Sequence, residues 1–265
     1  MPTVNVDGLE IYYETHGEGP PLLLVAGLAS DSQSWQPVLD ALAARHRVIV
    51  FDNRGAGRTA PQAAATGISR MADDCIGLAR QLGIGKFHLL GHSMGGFIAL
   101  ETAARFPDHV DKLIVVAAAA AGSARNHSLF ADWAADRTAG MDPERWFRNF
   151  FYWIFSAGFF DDAKSVQVAL RFALDYPYPQ SPAAFASQVR AMADFDCREG
   201  LCSIRAKTLV LAGSEDLLFP PKVCRELAGA IPQAEFSQIE QAAHAIFVEK
   251  PNDFAAAVMG FLGQG

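Results

Sequence analysis

A serine lies between glycines and apolar residues in the segment "FHLLGHSMGGFIAL", residues 87–100. A serine hydroxyl can attack a carbonyl carbon when a base removes its proton. The pentapeptide G-H-S-M-G at 91–95 has an apolar strand pattern before it and an apolar helix pattern after it, which is the setting of a nucleophile on a tight turn. We therefore take Ser93 as a candidate nucleophile. The pentapeptide alone would fit a glycine-rich turn with an incidental serine equally well.

A turn of this kind makes physical demands on its residues. The serine must adopt a strained backbone conformation so that its hydroxyl projects from the sheet. Side chains at Gly91 and Gly95 would collide with the neighbouring backbone, and the helix that starts here aims free N–H groups at the site. For a developing oxyanion we predict two backbone N–H donors, one at Met94 and one at Leu28 in the loop after the run "LLLVAG".

The base and its orienting acid should follow in the chain order serine, acid, histidine. Of the seven histidines, six lie at or before residue 127, so elimination selects His244. A lone histidine in a partly apolar segment can also be structural. The acid is expected at the end of a strand between Ser93 and His244, where the run "KTLVLAG" is followed by Ser-Glu-Asp. Glu215 and Asp216 are both candidates, with Asp216 preferred, and a simple turn residue is the structural alternative.

A pair of histidines four residues apart, His88 and His92, could suggest a metal site. On a strand this separation spans about 13 Å, so the two rings cannot bind one ion. We therefore predict no metal, and the serine chemistry described above needs no cofactor.

The elements that would position these residues alternate between strands and helices. The main apolar runs are nearly continuous, which is typical of strands buried on both faces of a parallel sheet. Asp7-Gly8 predicts a hairpin turn within 4–14. This order predicts an α/β fold with a doubly wound, mostly parallel sheet. The predicted strands are 22–27, 46–52, 87–91, 112–119, 207–213 and, more weakly, 234–239; the predicted helices are 34–46, 69–83 with Ser69 as N-cap residue, and 252–262.

A helical insertion interrupts this alternation between residues 122 and 200, where no apolar run of the central strand type occurs. We expect an α/β core of residues 1–121 and 201–265 and a helical lid over 122–200. The segment "WFRNFFYWIFSAGFF" at 146–160 places aromatic residues on two helical stripes, which either pack the lid or line an apolar pocket. The candidate pocket residues are Phe147, Phe151, Trp153 and Phe219.

Composition excludes several classes of protein. The net charge of the 265 residues is −7, and there is no Lys/Arg run of the kind that binds nucleic acid. The longest purely apolar run, 113–121, is far shorter than the ~20 residues that span a bilayer. No secretory leader is apparent, and four cysteines without a CxxC pattern indicate reduced thiols in a cytoplasmic protein. We expect a small-molecule substrate, no nucleic acid and no membrane, and we make no prediction of oligomeric state.

Four motifs in order resemble the α/β-hydrolase superfamily over nearly the whole chain. They are "FDNRGAGRT" (51–59), "GHSMGG" (91–96), "GSEDLLFP" (213–220) and "AAHAIFVEKP" (242–251). The third is similar to the family's G-x-x-D-x-x-x-P acid loop, which supports Asp216 over Glu215. Two positions depart from the family pattern: Ala243 stands where glycine is usual, and Ala26-Gly27 stands where many members carry His-Gly.

The resemblance implies a cofactor-free serine hydrolase that cleaves a small carboxylic ester or lactone through an acyl-enzyme. The loop "GLASDSQSW" at 27–35 looks like the branch that contains 3-oxoadipate enol-lactonases. In this reading Ser93 attacks, His244 transfers the proton and Asp216 orients His244. The same triad would also serve amide hydrolases, C–C bond hydrolases and haloperoxidase-like enzymes. A small-molecule receptor with slow turnover is the non-enzyme alternative.

Overall fold

The computed structural model describes residues 2–63 and 66–264, and its centre is one eight-stranded sheet. The strands are β1 (Thr3–Val6), β2 (Leu9–His16), β3 (Pro21–Val25), β4 (Arg47–Phe51), β5 (Phe87–His92), β6 (Val110–Val116), β7 (Lys207–Gly213) and β8 (Ala234–Ile239). Their order across the sheet is β1-β2-β4-β3-β5-β6-β7-β8. The pairs β1–β2 and β2–β4 are antiparallel, and every later pair is parallel.

Helices connect the parallel strands and cover the sheet. Short 3-10 helices at Ser32–Trp35, Ala157–Asp161 and Arg198–Ser203 complete the described elements. The α-helices are α1 (Gln36–Ala43), α2 (Ile68–Gln81), α3 (Met94–Arg105), α4 (Ala124–Thr138), α5 (Pro143–Ile154), α6 (Ala163–Leu174), α7 (Pro182–Ala193), α8 (Pro221–Ala230), α9 (Ile246–Glu249) and α10 (Pro251–Leu262).

The sheet is buried on both faces because successive residues of its central strands point in opposite directions. In β5, Leu89 belongs to one apolar core and Leu90 to the other. Helices α2, α3 and α8 cover the first face, and α1 and α10 cover the second. Burial on both faces explains why these strands are nearly continuous apolar runs in the sequence.

The segment between β6 and β7 is helical and leaves the core at the carboxyl end of β6. Within residues 122–200, all of which are described, it forms α4 to α7 and contains no β-strand. An antiparallel bridge pairs Ala121 with Asp196, so the segment starts and finishes at neighbouring points. We call residues 122–200 the helical insertion.

Hydrogen bonds also join the helical insertion to loops of the core. The Tyr176 hydroxyl donates to the Asp31 carboxylate, and Gln188 Nε2 donates to Arg54 O over 2.8 Å. The insertion is therefore held against the loops that follow β3 and β4 by polar contacts.

The predicted α/β fold with a mostly parallel sheet is confirmed, and each predicted strand run overlaps one of β3 to β8. The predicted hairpin is also confirmed. β1 and β2 pair around Asp7 and Gly8, whose φ angles are 50° and 84°. Two residues with positive φ are what a two-residue hairpin turn requires.

Two local predictions were wrong in detail. Gly67, not Ser69, is the N-cap residue of α2, and the Ser69 hydroxyl is instead bonded to Glu101 on α3. The helix predicted over 34–46 begins as the 3-10 helix at Ser32–Trp35, where the Asp31 carboxylate accepts from Gln33 N–H over 2.9 Å. In both cases a tertiary or capping contact outweighs the local pattern.

A buried ion pair fixes the loop after β4 to α2. Arg54 donates from Nε to Asp74 Oδ2 over 2.9 Å and from Nη2 to Asp74 Oδ1 over 2.7 Å, and both side chains are buried. Arg54→Met would leave the carboxylate buried without its partner, so we expect the free energy of unfolding to fall by about 3–5 kcal/mol in urea titrations. The double variant Arg54→Met/Asp74→Leu should recover most of that loss. A loss below about 1 kcal/mol in the single variant would contradict the prediction.

Candidate active site

Ser93 occupies the sharp turn between β5 and α3. Its backbone has φ 56° and ψ −119°, a conformation that residues other than glycine rarely adopt. The turn is held by Ser93 N–H, which donates to Val116 O over 2.9 Å, and by Ser93 O, which accepts from Gly96 N–H over 2.8 Å. Such strain persists only where the surrounding structure enforces it.

Glycines allow three backbones to approach each other around Ser93. A Cβ atom on Gly91 would lie 2.0 Å from Gly95 O, and one on Gly95 would lie 2.0 Å from Val25 O. Gly27 lies on the other side of the turn, where a Cβ would be 3.2 Å from Ser93 Cβ. The predicted collisions at Gly91 and Gly95 are therefore confirmed, and the loop after β3 lies directly against Ser93.

His244 and Asp216 form a buried pair at the carboxyl ends of neighbouring strands. Asp216 lies in the loop after β7 and His244 in the loop after β8. His244 Nδ1 is 2.9 Å from Asp216 Oδ2, and the residues are 4 % and 2 % exposed. Glu215, the other candidate acid, is exposed. The loop conformation thus turns only the second of the two adjacent carboxylates towards the ring.

Asp216 is held as a carboxylate by its surroundings. Its Oδ1 accepts from Leu218 N–H over 2.8 Å and from Phe219 N–H over 2.9 Å. Burial alone would raise the pKa of Asp216, but the His244 charge, its hydrogen bond and the two N–H groups outweigh burial and lower that pKa below its usual value. An anionic Asp216 can accept a hydrogen bond from His244 Nδ1–H and stabilise the ring when it becomes charged.

His92 connects the Ser93 turn to the His244 loop. His92 Nε2 lies 2.9 Å from His244 O, and the centres of the two rings are 4.7 Å apart. Ser93 is therefore adjacent in the chain to a residue that contacts His244. Among the described residues, however, no direct hydrogen bond involves the Ser93 hydroxyl. The structure joins His244 to Asp216, and the contact between Ser93 and His244 stays a prediction.

The two predicted oxyanion donors lie on either side of the Ser93 turn. Met94 is the first residue of α3, so its N–H has no partner within the helix. Leu28 follows Gly27 in the loop after β3, and its N–H forms no hydrogen bond with a described residue. Asn53 Nδ2 donates to Ala26 O over 2.8 Å, which joins this loop to the loop after β4.

Asp52, which is buried, and Arg58, which is partly buried, lie near this site, and the sequence analysis assigned neither of them a role. Asp52 Oδ1 accepts from Ser32 N–H over 3.0 Å, and its Oδ2 accepts from Arg58 Nε over 2.8 Å. Arg58 Nη2 also donates to Ser32 Oγ over 2.7 Å. The pair therefore ties the loop after β4 to the loop that carries Leu28. Both residues belong to the "FDNRGAGRT" motif, and this membership is the sequence feature that could have indicated a role for them.

The candidate pocket residues lie in different surroundings. Phe219 is buried, and its ring stacks at 5.7 Å from that of His244. Phe151 is buried in a small apolar cluster that includes Ala245, with Phe147 packed against it. Trp153 is half-buried, with the Arg125 guanidinium 5.9 Å from its ring centre. Phe219 and Phe151 thus lie beside the His244 loop, whereas Trp153 faces α4. Their part in a pocket remains a prediction.

Within residues 2–63 and 66–264, no group of three or more His, Cys, Asp or Glu side chains could hold a metal ion. None of the helices in these residues combines the length and the apolar character that crossing a bilayer demands.

The buried His92 ring makes stability depend on pH. Burial, together with the nearby His244 ring, lowers the pKa of His92 to about 3 from its ordinary 6.5. Below pH 6.5 the unfolded chain therefore binds a proton that the folded chain does not. The free energy of unfolding consequently decreases as the pH is lowered. Between pH 7.5 and 5.5 this residue alone should reduce the free energy of unfolding by about 1 kcal/mol.

Urea titrations at the two pH values test this dependence. The His92→Phe variant should lose about 1 kcal/mol less than the wild type on acidification. Ser203→Ala, at an exposed residue that does not titrate in this range, provides a control that should leave the pH dependence unchanged. Equal pH dependence of His92→Phe and wild type would contradict the assigned burial effect.

Known proteins share both the sequence pattern and the fold. The alpha/beta hydrolase fold family matches residues 20–251.

A protein of Azorhizobium caulinodans that carries the provisional name carbamate hydrolase RutD is 31 % identical over 276 residues, which cover 100 % of this chain and 99 % of that protein. The enol-lactonase from Burkholderia xenovorans superposes with a TM-score of 0.90 at 27 % identity, covering 99 % of this chain and 100 % of that structure. A thermophilic esterase from Thermogutta terrifontis gives 0.86 at 28 % identity, covering 98 % and 96 %. The chain belongs to the alpha/beta hydrolase family.

Proposed function

We propose that this protein is a serine hydrolase that cleaves small carboxylic esters or lactones through an acyl-enzyme. The observation that carries the proposal is the buried 2.9 Å hydrogen bond between His244 Nδ1 and Asp216 Oδ2, close to the strained turn at Ser93. A histidine oriented by a carboxylate is the base that a serine nucleophile needs.

The tautomer of His244 follows from this hydrogen bond. A carboxylate can only accept, so Nδ1 carries the proton and Nε2 is left with a free lone pair. Nε2 takes the Ser93 proton as the hydroxyl attacks the substrate carbonyl, and it then returns the proton to the leaving oxygen. Asp216 stabilises the positive ring between these two steps.

The Ser93–His244 contact is expected to form with substrate bound. Catalytic hydrogen bonds are often long in ligand-free enzymes and tighten when substrate binds. Ser93 adjoins His92, whose ring centre is 4.7 Å from that of His244, so the turn that carries the hydroxyl lies next to the loop that carries the base.

The backbone N–H groups of Leu28 and Met94 would receive the negative oxygen of the tetrahedral intermediate. Two such donors stabilise charge that develops only during the reaction. Water, activated by His244 Nε2, then attacks the acyl-enzyme and releases the acid. Every step uses side chains, backbone and water, so the scheme calls for no cofactor.

The substrate class is supported by the apolar surroundings of His244 and by the relatives. Phe219 and Phe151 present aromatic surface near the His244 loop, and two structural neighbours are named enol-lactonase and esterase. A carbamate is the second candidate, because it presents the same carbonyl and because a relative 31 % identical carries the name carbamate hydrolase. Comparing kcat/KM for a lactone, a methyl ester and a carbamate of similar size ranks these substrates.

Replacing the nucleophile provides the first test. Ser93→Ala should lower kcat/KM for 4-nitrophenyl acetate by at least about 10³-fold, because no acyl-enzyme can form. The urea midpoint should change little, and Ser203→Ala, at an exposed serine, should retain full activity. Retention of more than a tenth of the activity by Ser93→Ala would refute the assignment.

Replacing the acid tests the assigned tautomer. Asp216→Asn keeps an oxygen for the Leu218 and Phe219 N–H groups but presents an NH₂ group to His244 Nδ1. This favours a proton on Nε2, so we expect kcat to fall by about 10⁴-fold. The matched variant of the neighbouring exposed carboxylate, Glu215→Gln, should remain near wild-type activity. The reverse ranking of the two variants would assign the acid to Glu215.

A further inference from the structure

Glu249 connects two backbone segments that are far apart in the sequence. Its Oε2 accepts from Ala243 N–H over 2.8 Å, and its Oε1 accepts from Ser156 N–H over 3.0 Å. Ala243 directly precedes His244, whereas Ser156 follows α5 in the helical insertion. One carboxylate therefore spans the His244 loop and the insertion.

A second hydrogen bond joins the same two segments on the other side of His244. Ala245 N–H donates to Ile154 O at the end of α5 over 2.9 Å. Both neighbours of His244 in the chain are thus bound to residues 154–156, one directly and one through Glu249. Ala245 and Phe151 also belong to one buried apolar cluster. Movement of the insertion at this point would displace the backbone that carries the base.

The chemistry of these contacts requires a carboxylate. Ala243 and Ser156 are both buried, so their N–H groups have no access to bulk water. Hydrogen bonds from N–H to an ionised oxygen are stronger than neutral ones, and a carboxylate offers one oxygen to each donor. Glu249 is the last residue of α9, and its N–H donates to Ala245 O over 3.1 Å. This helical turn brings the Glu249 side chain back to Ala243.

We propose that Glu249 is a positioning residue for His244, which makes the placement of the base depend on the docking of the helical insertion at residues 154–156. The proposal rests on the role of His244 in the proposed function. Glu249 does not touch the reacting atoms; it acts through the backbone N–H of Ala243.

Ser156 offers a matched pair of variants that isolates one of the two hydrogen bonds. Its φ of −67° and ψ of 162° suit proline, and the preceding Phe155 has the extended conformation that a following proline requires. Ser156→Pro removes the N–H that binds Glu249 and also the hydroxyl. Ser156→Ala removes only the hydroxyl, which accepts from Phe159 N–H over 3.3 Å. The difference between the two variants therefore reports the N–H bond to Glu249.

Kinetics with 4-nitrophenyl acetate measure the catalytic consequence. Because a small misplacement of a catalytic group is costly, kcat of Ser156→Pro and Glu249→Ala should fall about 10-fold or more with KM changed less than about 3-fold. Glu249→Gln keeps one acceptor and should be intermediate. Ser156→Ala and Glu226→Gln, an exposed carboxylate on α8, should stay near wild type. The effects of Ser156→Pro and Glu249→Ala should be non-additive in the double variant.

Hydrogen exchange of the same variants measures the structural coupling without any turnover. The amides of Ala243 and Ala245 should exchange faster in Ser156→Pro than in Ser156→Ala. Equal exchange at both amides, or equal kcat for Ser156→Pro and Ser156→Ala, would overturn the proposal. Failure of the proposed function would appear separately, as full activity of Ser93→Ala.

Discussion

The close contact of α3 with the ends of β3 and β5 is the constraint on which the site depends. A Cβ atom at Gly95 would lie 2.0 Å from Val25 O, so the start of α3 has no room for even a methyl group. This approach forces Ser93 into its strained conformation and brings the first N–H of the helix beside the loop after β3. If the helix moved outwards, the N–H groups of Met94 and Leu28, which we propose as oxyanion donors, would separate, and the strain at Ser93 would be released.

Buried carboxylates hold the loops around this contact. Asp52 and Asp216 each follow the end of a strand, and each carboxylate binds both backbone and side-chain donors. Asp52 accepts from the backbone N–H groups of Ser32 and Arg58 and from the Arg58 guanidinium. Asp216 accepts from two backbone N–H groups on Oδ1 and lies beside the His244 ring through Oδ2. A loop held in this way behaves as part of the rigid scaffold, although it has no regular secondary structure. The sheet thus positions the ends of these loops, and the carboxylates position the residues within the loops.

The features predicted from sequence are those with local causes. Asp7-Gly8 specifies its turn by backbone preference alone, and the apolar runs of the central strands reflect burial on both faces. Ser69 failed as an N-cap residue because Glu101, on another helix, binds its hydroxyl. The choice between Glu215 and Asp216 depended on motif spacing, since adjacent loop residues differ in orientation only after the loop has folded. Contacts between distant segments, such as that of Glu249 with Ser156, leave no periodic pattern in the sequence.

Two carboxylates act on the proposed base in different ways. The Asp216 hydrogen bond sets the rotation and tautomer of the His244 ring, but it cannot fix the position of the backbone that carries the ring. That position is determined by the flanking peptide groups, where Ala243 N–H, His244 O and Ala245 N–H are each hydrogen-bonded. The backbone and the ring of the proposed base are therefore both held by hydrogen bonds before any substrate binds. Preorganisation of this kind reduces the entropy lost in reaching the transition state.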